Sequence, residues 1–138
     1  ERSRIRLVIQ EPERDFSIMM NRGKLTQVID NLILNSEYWL QEDLRKSLID
    51  DAQIIVRIAE PFVEILDTGR GIPPAVEHQL FQPFVTTKPQ GVGHGLGLFI
   101  NRQLLDASNC QISLLPTRNG FNRRFIFRID FSGALHND

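Results

Sequence analysis

Apolar residues change their period several times along the chain, and each change marks an element. Ile5-Arg-Leu-Val-Ile-Gln10 is a strand-like run closed by a turn at Glu11-Pro12, and Phe16 to Met20 is a second, shorter one broken by Asn21-Arg-Gly23. From Lys24 the repeat becomes helical: Leu25, Val28, Ile29, Leu32, Ile33 and Ser36 fall on one side. Residues 42–51 are charged and either end this helix or form a loop. Gln53 to Ile58 and Phe62 to Leu66 read as a strand pair around Glu60-Pro61. A short helix is expected from Ala75 to Leu80, with Pro73 or Pro74 at its start. Leu96 to Leu105 again has helical spacing and ends near Ser108-Asn109. Cys110 to Leu115 and Arg124 to Phe131 read as strands joined by a turn at Arg118–Asn122, and Ser132 to Asp138 as a frayed end. These elements predict an α+β fold: a two-layer α/β sandwich with a mixed, mostly antiparallel sheet and about three helices on one face.

Composition narrows the class. The chain has 138 residues, 41% hydrophobic and 24% charged, which suits a single domain with a sizeable core. We read residues 1–138 as one domain with an ordered core of about 5–131. A formal net charge of −1 gives no reason to expect nucleic acid or an anionic membrane as partner. The single cysteine, Cys110, excludes an internal disulfide and a zinc cluster and reads as core. No apolar run is long enough to span a bilayer and no signal peptide opens the chain. It begins on Glu1 rather than Met, as expected of a domain excised from a longer protein.

The candidate chemistry lies between Asp67 and Gly97. Asp67 leaves its strand into Asp67-Thr-Gly-Arg-Gly-Ile72, where Gly69 and Gly71 permit a tight turn and close backbone approach. A carboxylate there accepts hydrogen bonds and suits an exocyclic amino group such as that of adenine; a plain turn after a strand gives the same sequence. Gly91, Gly93, Gly95 and Gly97 lead into a helix, and a glycine loop at a helix N-terminus exposes N–H groups to a phosphate. No Gly-Lys-Ser/Thr follows, so it is not a Walker loop. Between the turns, Phe81 and Phe84 flank Pro83, ahead of Thr86-Thr87-Lys88. This segment reads either as a loop that closes over a ligand, with Lys88 offering charge, or as core phenylalanines beside a solvated lysine. Upstream, Asn31 and Asn35 share a helix face although asparagine is a poor helix-interior residue.

In order, Asn31-Leu-Ile-Leu-Asn35-Ser36, Asp67-x-Gly69-x-Gly71-Ile72, Phe81-x-Pro-Phe84-x-Thr-Thr-Lys88 and Gly93-x-Gly95-Leu-Gly97-Leu resemble the asparagine, first glycine, phenylalanine and second glycine boxes of the catalytic ATP-binding domain of sensor histidine kinases. That domain falls in the superfamily of gyrase- and MutL-like ATPases and has the Bergerat-type fold. The resemblance covers about residues 5–131, and the ordered set of four boxes is what makes it specific. It implies ATP and Mg2+ as cofactors. Asn35 would be the Mg2+ ligand, and Asp67, Gly69, Gly71 and Ile72 the base pocket. Thr86, Thr87, Lys88, Gly93, Gly95, Leu96 and Gly97 would hold phosphates, with Asn31 and Lys88 nearest the chemistry.

Two positions depart from the pattern. Related ATPases carry a glutamate base where Asn31 stands, and an amide cannot take a proton; Asp30 and Asp43 point elsewhere on the helical wheel. This favours phosphoryl transfer to another acceptor over hydrolysis. Many histidine kinases also place Lys and Tyr where Tyr38 and Trp39 stand. Trp39 then either contacts the nucleotide or simply packs. The resemblance implies a protein-histidine kinase of a two-component phosphorelay. Its partners would be a histidine-containing dimerisation domain, in cis or in trans, and a response regulator. The parent would be a homodimer, cytoplasmic or membrane-anchored, with this segment in the cytoplasm. None of His78, His94 and His136 reads as the acceptor. The alternative is an ATP-operated conformational switch of the same superfamily.

Overall fold

A computed structural model describes residues 5–83 and 97–136. Its elements in chain order are β1 (Ile5–Gln10), β2 (Ser17–Ile18), α1 (Arg22–Arg45), β3 (Ala52–Ala59), β4 (Phe62–Asp67), a 3-10 helix (Pro74–Gln79), α2 (Gly97–Asp106), β5 (Gln111–Leu114), β6 (Ile126–Asp130), a second 3-10 helix (Ser132–Ala134) and β7 (Leu135–His136). Five strands form one sheet in the order β1-β3-β4-β6-β5. β1 and β3 are parallel, which requires a long crossover, and α1 lies in it. The other pairings are antiparallel. β3 returns into β4 through Glu60-Pro61 alone, across a cis peptide bond.

The period-two pattern sorts the sheet into two faces. Ala52, Ile54 and Val56 of β3, Ile65 of β4 and Phe127 and Ile129 of β6 are buried against the helices. There they meet Val28, Leu32, Leu40 and Leu44 of α1 and Leu105 of α2. The opposite face carries a charge ladder dictated by register. Arg57 pairs with Glu64 at 3.1 Å, and Arg128 pairs with the same Glu64 at 2.7 Å while lying 4.2 Å from the Phe62 ring centre. Sheet and helices thus form the two-layer α+β arrangement expected. Among the described residues, no helix is long and apolar enough to cross a membrane.

Local chemistry sets the helix ends. Asn21 caps α1 by accepting the Lys24 N–H at 3.0 Å. Asn109, with φ of 60°, terminates α2, and the Cys110 N–H returns to the Leu105 carbonyl. Cys110 is buried, as its core reading requires, and burial pushes its thiol pKa up, with Asp130 adding to the effect.

The tail corrects an expectation. Ser132–His136 is not frayed: Phe131 and Ala134 are buried, and β7 pairs antiparallel with β2. The Met19 N–H also donates to the Ala134 carbonyl at 2.7 Å. The strand expected over Phe16–Met20 shrinks accordingly to Ser17–Ile18, because its partner is only two residues long.

Candidate functional site

One row of α1 organises the site. Asn31, Asn35, Trp39 and Asp43 recur every four residues, and such a row winds slowly around its helix. Each successive member therefore faces a different neighbour. Asn31 reaches α2: its Nδ2 donates to Asn101 Oδ1 at 2.9 Å and to the Gly97 carbonyl at 3.4 Å. Asn35 and Trp39 line a small cavity of about 30 Å³ with Ser36, Asp67, Gly71, Ile72, Phe125 and Phe127. Asp43 accepts from the Arg70 N–H and Nε, both at 3.2 Å.

The structure thus brings Asn35, Trp39, Asp67, Gly71 and Ile72 to one cavity. Gly69 lies behind them. A side chain there would crowd Asp67 Oδ1 at 3.0 Å, Leu40 at 3.1 Å and Asp43 at 3.3 Å. Gly97 opens α2 beside Asn31, so the end of the second glycine stretch adjoins the asparagine pair. Trp39, for which the sequence allows either packing or contact, forms a cavity wall with Tyr38 edge-on at 5.0 Å. Phe81 packs edge-to-face on Phe127 at 6.2 Å and belongs to the core periphery. Phe84, Thr86, Thr87, Lys88, Gly91, Gly93, His94, Gly95 and Leu96 lie outside the described residues.

Asp67 is the charged group of the cavity. Its Oδ1 accepts the Gly69 N–H at 2.9 Å, and the Ser36 hydroxyl also donates to the carboxyl. Burial nevertheless wins, and with the nearby Asp43 charge it holds the Asp67 pKa above the usual carboxylate range. The cavity therefore presents a desolvated acceptor with two of its hydrogen bonds already satisfied.

Three polar residues escape sequence reasoning. Asp43 does lie far around the helix from Asn31, as the helical wheel requires; its neighbour is the glycine turn instead. Asn119 belongs to a hairpin-type turn and donates to the Arg70 carbonyl at 2.9 Å. Asn101 is fully buried, accepts from Asn31 and donates to the Val28 carbonyl at 3.2 Å. The one available signal is Asn101 itself, a polar residue four before Leu105 on the apolar side of α2. Replacing it by Ala removes both bonds and leaves a void, so Asn101→Ala is expected to cost about 2–3 kcal/mol in a thermal or urea unfolding experiment.

A mixed sheet with helices on one face is the two-layer α+β arrangement that the four boxes implied, and Asp67 and Gly71 bring the turn after β4 to the cavity beside α1. Residues 20–133 match the family described as Histidine kinase-, DNA gyrase B-, and HSP90-like ATPase, and the chain belongs to that family. Among curated relatives, it is 30% identical over 125 residues to the sensor protein kinase PilS of Pseudomonas aeruginosa, covering 86% of this chain and 22% of the relative. It is 35% identical over 119 residues to the two-component sensor PprA of the same species, covering 80% and 12%. The chain therefore spans well under a third of either relative. Solved structures share the fold. The mycobacterial sensor histidine kinase MprB superposes with a TM-score of 0.77 at 19% identity, over 99% of this chain and 88% of that one. Full-length ShkA in complex with AMPPNP gives 0.71 at 19% identity, over 97% of this chain and 27% of that one.

Proposed function

We propose that this chain binds Mg-ATP across the α1 face that carries Asn35 and Trp39, with the edge of the base at the small cavity lined by Asp67, and presents the γ-phosphate to a histidine on a separate dimerisation domain, for relay to a response regulator. The carrying observation is the convergence of Asn35, Trp39, Asp67, Gly71 and Ile72 on one cavity in a chain of this ATPase family. The Asp67 carboxylate accepts the adenine amino group, while Trp39, Ile72 and Phe127 supply apolar walls. The resemblance to an AMPPNP-bound histidine kinase supports the same ligand class.

The donor chemistry fits magnesium carried in with the nucleotide. Asn35 offers one hard amide oxygen, and no group of three or more His, Cys, Asp or Glu among the described residues forms a cage of its own. Asn35 would hold the ion, which would supply charge neutralisation for the transferring phosphoryl group. Asn31 spends its N–H donors on Asn101 and the Gly97 carbonyl, which ties the asparagine helix to the start of α2. It orients, and takes no proton. Thr86, Thr87, Lys88, Gly93, Gly95 and Leu96 complete the phosphate contacts in this reading. Such work is mostly positioning and charge stabilisation, which is what phosphoryl transfer asks of a protein.

The test follows γ-labelled ATP and magnesium incubated with the full-length parent protein. Label retained on protein, acid-labile and base-stable, is the expected result. Label released only as free phosphate overturns transfer and selects the ATP-operated switch. Asn35→Ala is expected to remove most of the retained label while leaving melting within about 1 kcal/mol of wild type, since it truncates a half-buried polar side chain at the cavity.

A further inference from the structure

Asp43 is only 4% exposed and carries a charge that the nucleotide reading leaves unused. Burying a carboxylate is costly unless its bonds are well made. Among the described residues, both of its side-chain partners belong to Arg70, and one is the main-chain N–H at the centre of the Gly69-Arg70-Gly71 turn. From the opposite side, Asn119 Nδ2 donates to the carbonyls of Arg70 at 2.9 Å and Gly69 at 3.4 Å. The same amide's Oδ1 accepts the N–H groups of Phe121 at 2.8 Å and Arg123 at 3.2 Å, fixing its own turn. The Ile72 N–H donates to the Arg124 carbonyl at 2.9 Å. A turn with two glycines has much conformational freedom to lose. Here it is gripped in the middle by α1 and by the β5–β6 connection, while its ends, Asp67 and Gly71, line the cavity.

We propose that Asp43 and Asn119 are positioning residues that set selectivity for adenine, by holding the glycine turn at the depth where Asp67 meets the base. Asp43 shares the α1 row with Asn35 and Trp39, so the clamp, the cavity wall and the magnesium ligand move as one helix. Their effect reaches the base through the turn and leaves phosphate contacts alone. The proposal rests on the ATP reading above.

Calorimetric affinities for Mg-AMPPNP and Mg-GMPPNP, with thermal unfolding of each protein, test it on wild type, Asp43→Asn, Asn119→Asp and Asp67→Asn. Asn119→Asp keeps shape and both acceptor bonds but turns an oxygen toward the two carbonyls. Both clamp variants are expected to lose about tenfold toward Mg-AMPPNP, the value of one or two buried hydrogen bonds, with Mg-GMPPNP unchanged. Equal losses toward both nucleotides would make the clamp merely structural and overturn the proposal. So would undiminished selectivity in Asn119→Asp, which decides the matter alone if Asp43→Asn does not fold. If wild type shows no preference for the adenine nucleotide, or Asp67→Asn keeps it, the ATP reading itself falls and takes the clamp with it.

Discussion

Asp67→Asn is expected to weaken ATP binding by about 30- to 100-fold, the worth of a charge-assisted hydrogen bond in a desolvated site, and yet to raise the melting temperature of the unliganded chain at pH 7. The two effects have one cause. The only acceptor of an asparagine would be held by the Gly69 N–H that now bonds Oδ1, leaving an NH2 group to confront the adenine amino group. Without nucleotide, burial disfavours the ionised form of the wild-type carboxyl and so raises its pKa. A group whose folded-state pKa lies above its unfolded value lends its stability below the unfolded value and loses it as pH rises through the folded one. The melting gap between variant and wild type should therefore open as pH climbs through the raised pKa and close in the ordinary carboxylate range. Calorimetric melting of both proteins across that window checks this. A gap that ignores pH, or favours wild type at neutrality, would mean that the Gly69 and Ser36 hydrogen bonds outweigh burial.

Gly71→Ala is expected to damage both stability and binding, by about 2–4 kcal/mol in unfolding free energy, adding left-handed backbone strain to overpacking. Gly71 has φ of 93°, and a methyl there would sit 2.8 Å from Arg123 Cβ, 2.8 Å from Asn119 Nδ2 and 3.0 Å from the Arg124 carbonyl oxygen. Asn119 can swing away; backbone cannot. Relief must come from displacing the turn, which carries Ile72 and the mouth of the cavity with it. Equilibrium unfolding and nucleotide titration of the same variant should move together. A stable variant with intact binding would show that the turn tolerates a different backbone path. Gly120, where an added methyl would meet nothing within 4 Å, serves as the tolerant control among the turn glycines.

Much of this site is legible in the sequence because its signals are local. Asn31 and Asn35 are one turn apart on a helix whose apolar spacing is plain. Asp67, Gly69 and Gly71 follow a strand, and their meaning needs only the backbone rules for turns. The parallel pairing of β1 with β3 is a different matter, because its partners lie about fifty positions apart and no turn dictates it. Likewise the tail reads as frayed because β7 has no local partner; it is ordered by β2, more than a hundred positions earlier. Trp39 can be placed on the helix from sequence but not against the cavity, since that depends on how α1 rolls on the sheet.

By itself, then, the sequence determined the fold class, the asparagine face, the acidic turn and the family, all written in spacings of a few residues. Only tertiary structure decided the polar framework behind them. Asp43 meets Arg70 across 27 positions, Asn119 meets Arg70 across 49 and Asn31 meets Asn101 across 70. A buried polar side chain declares its role through its partner, and partners that distant are chosen by packing and not by any pattern along the chain.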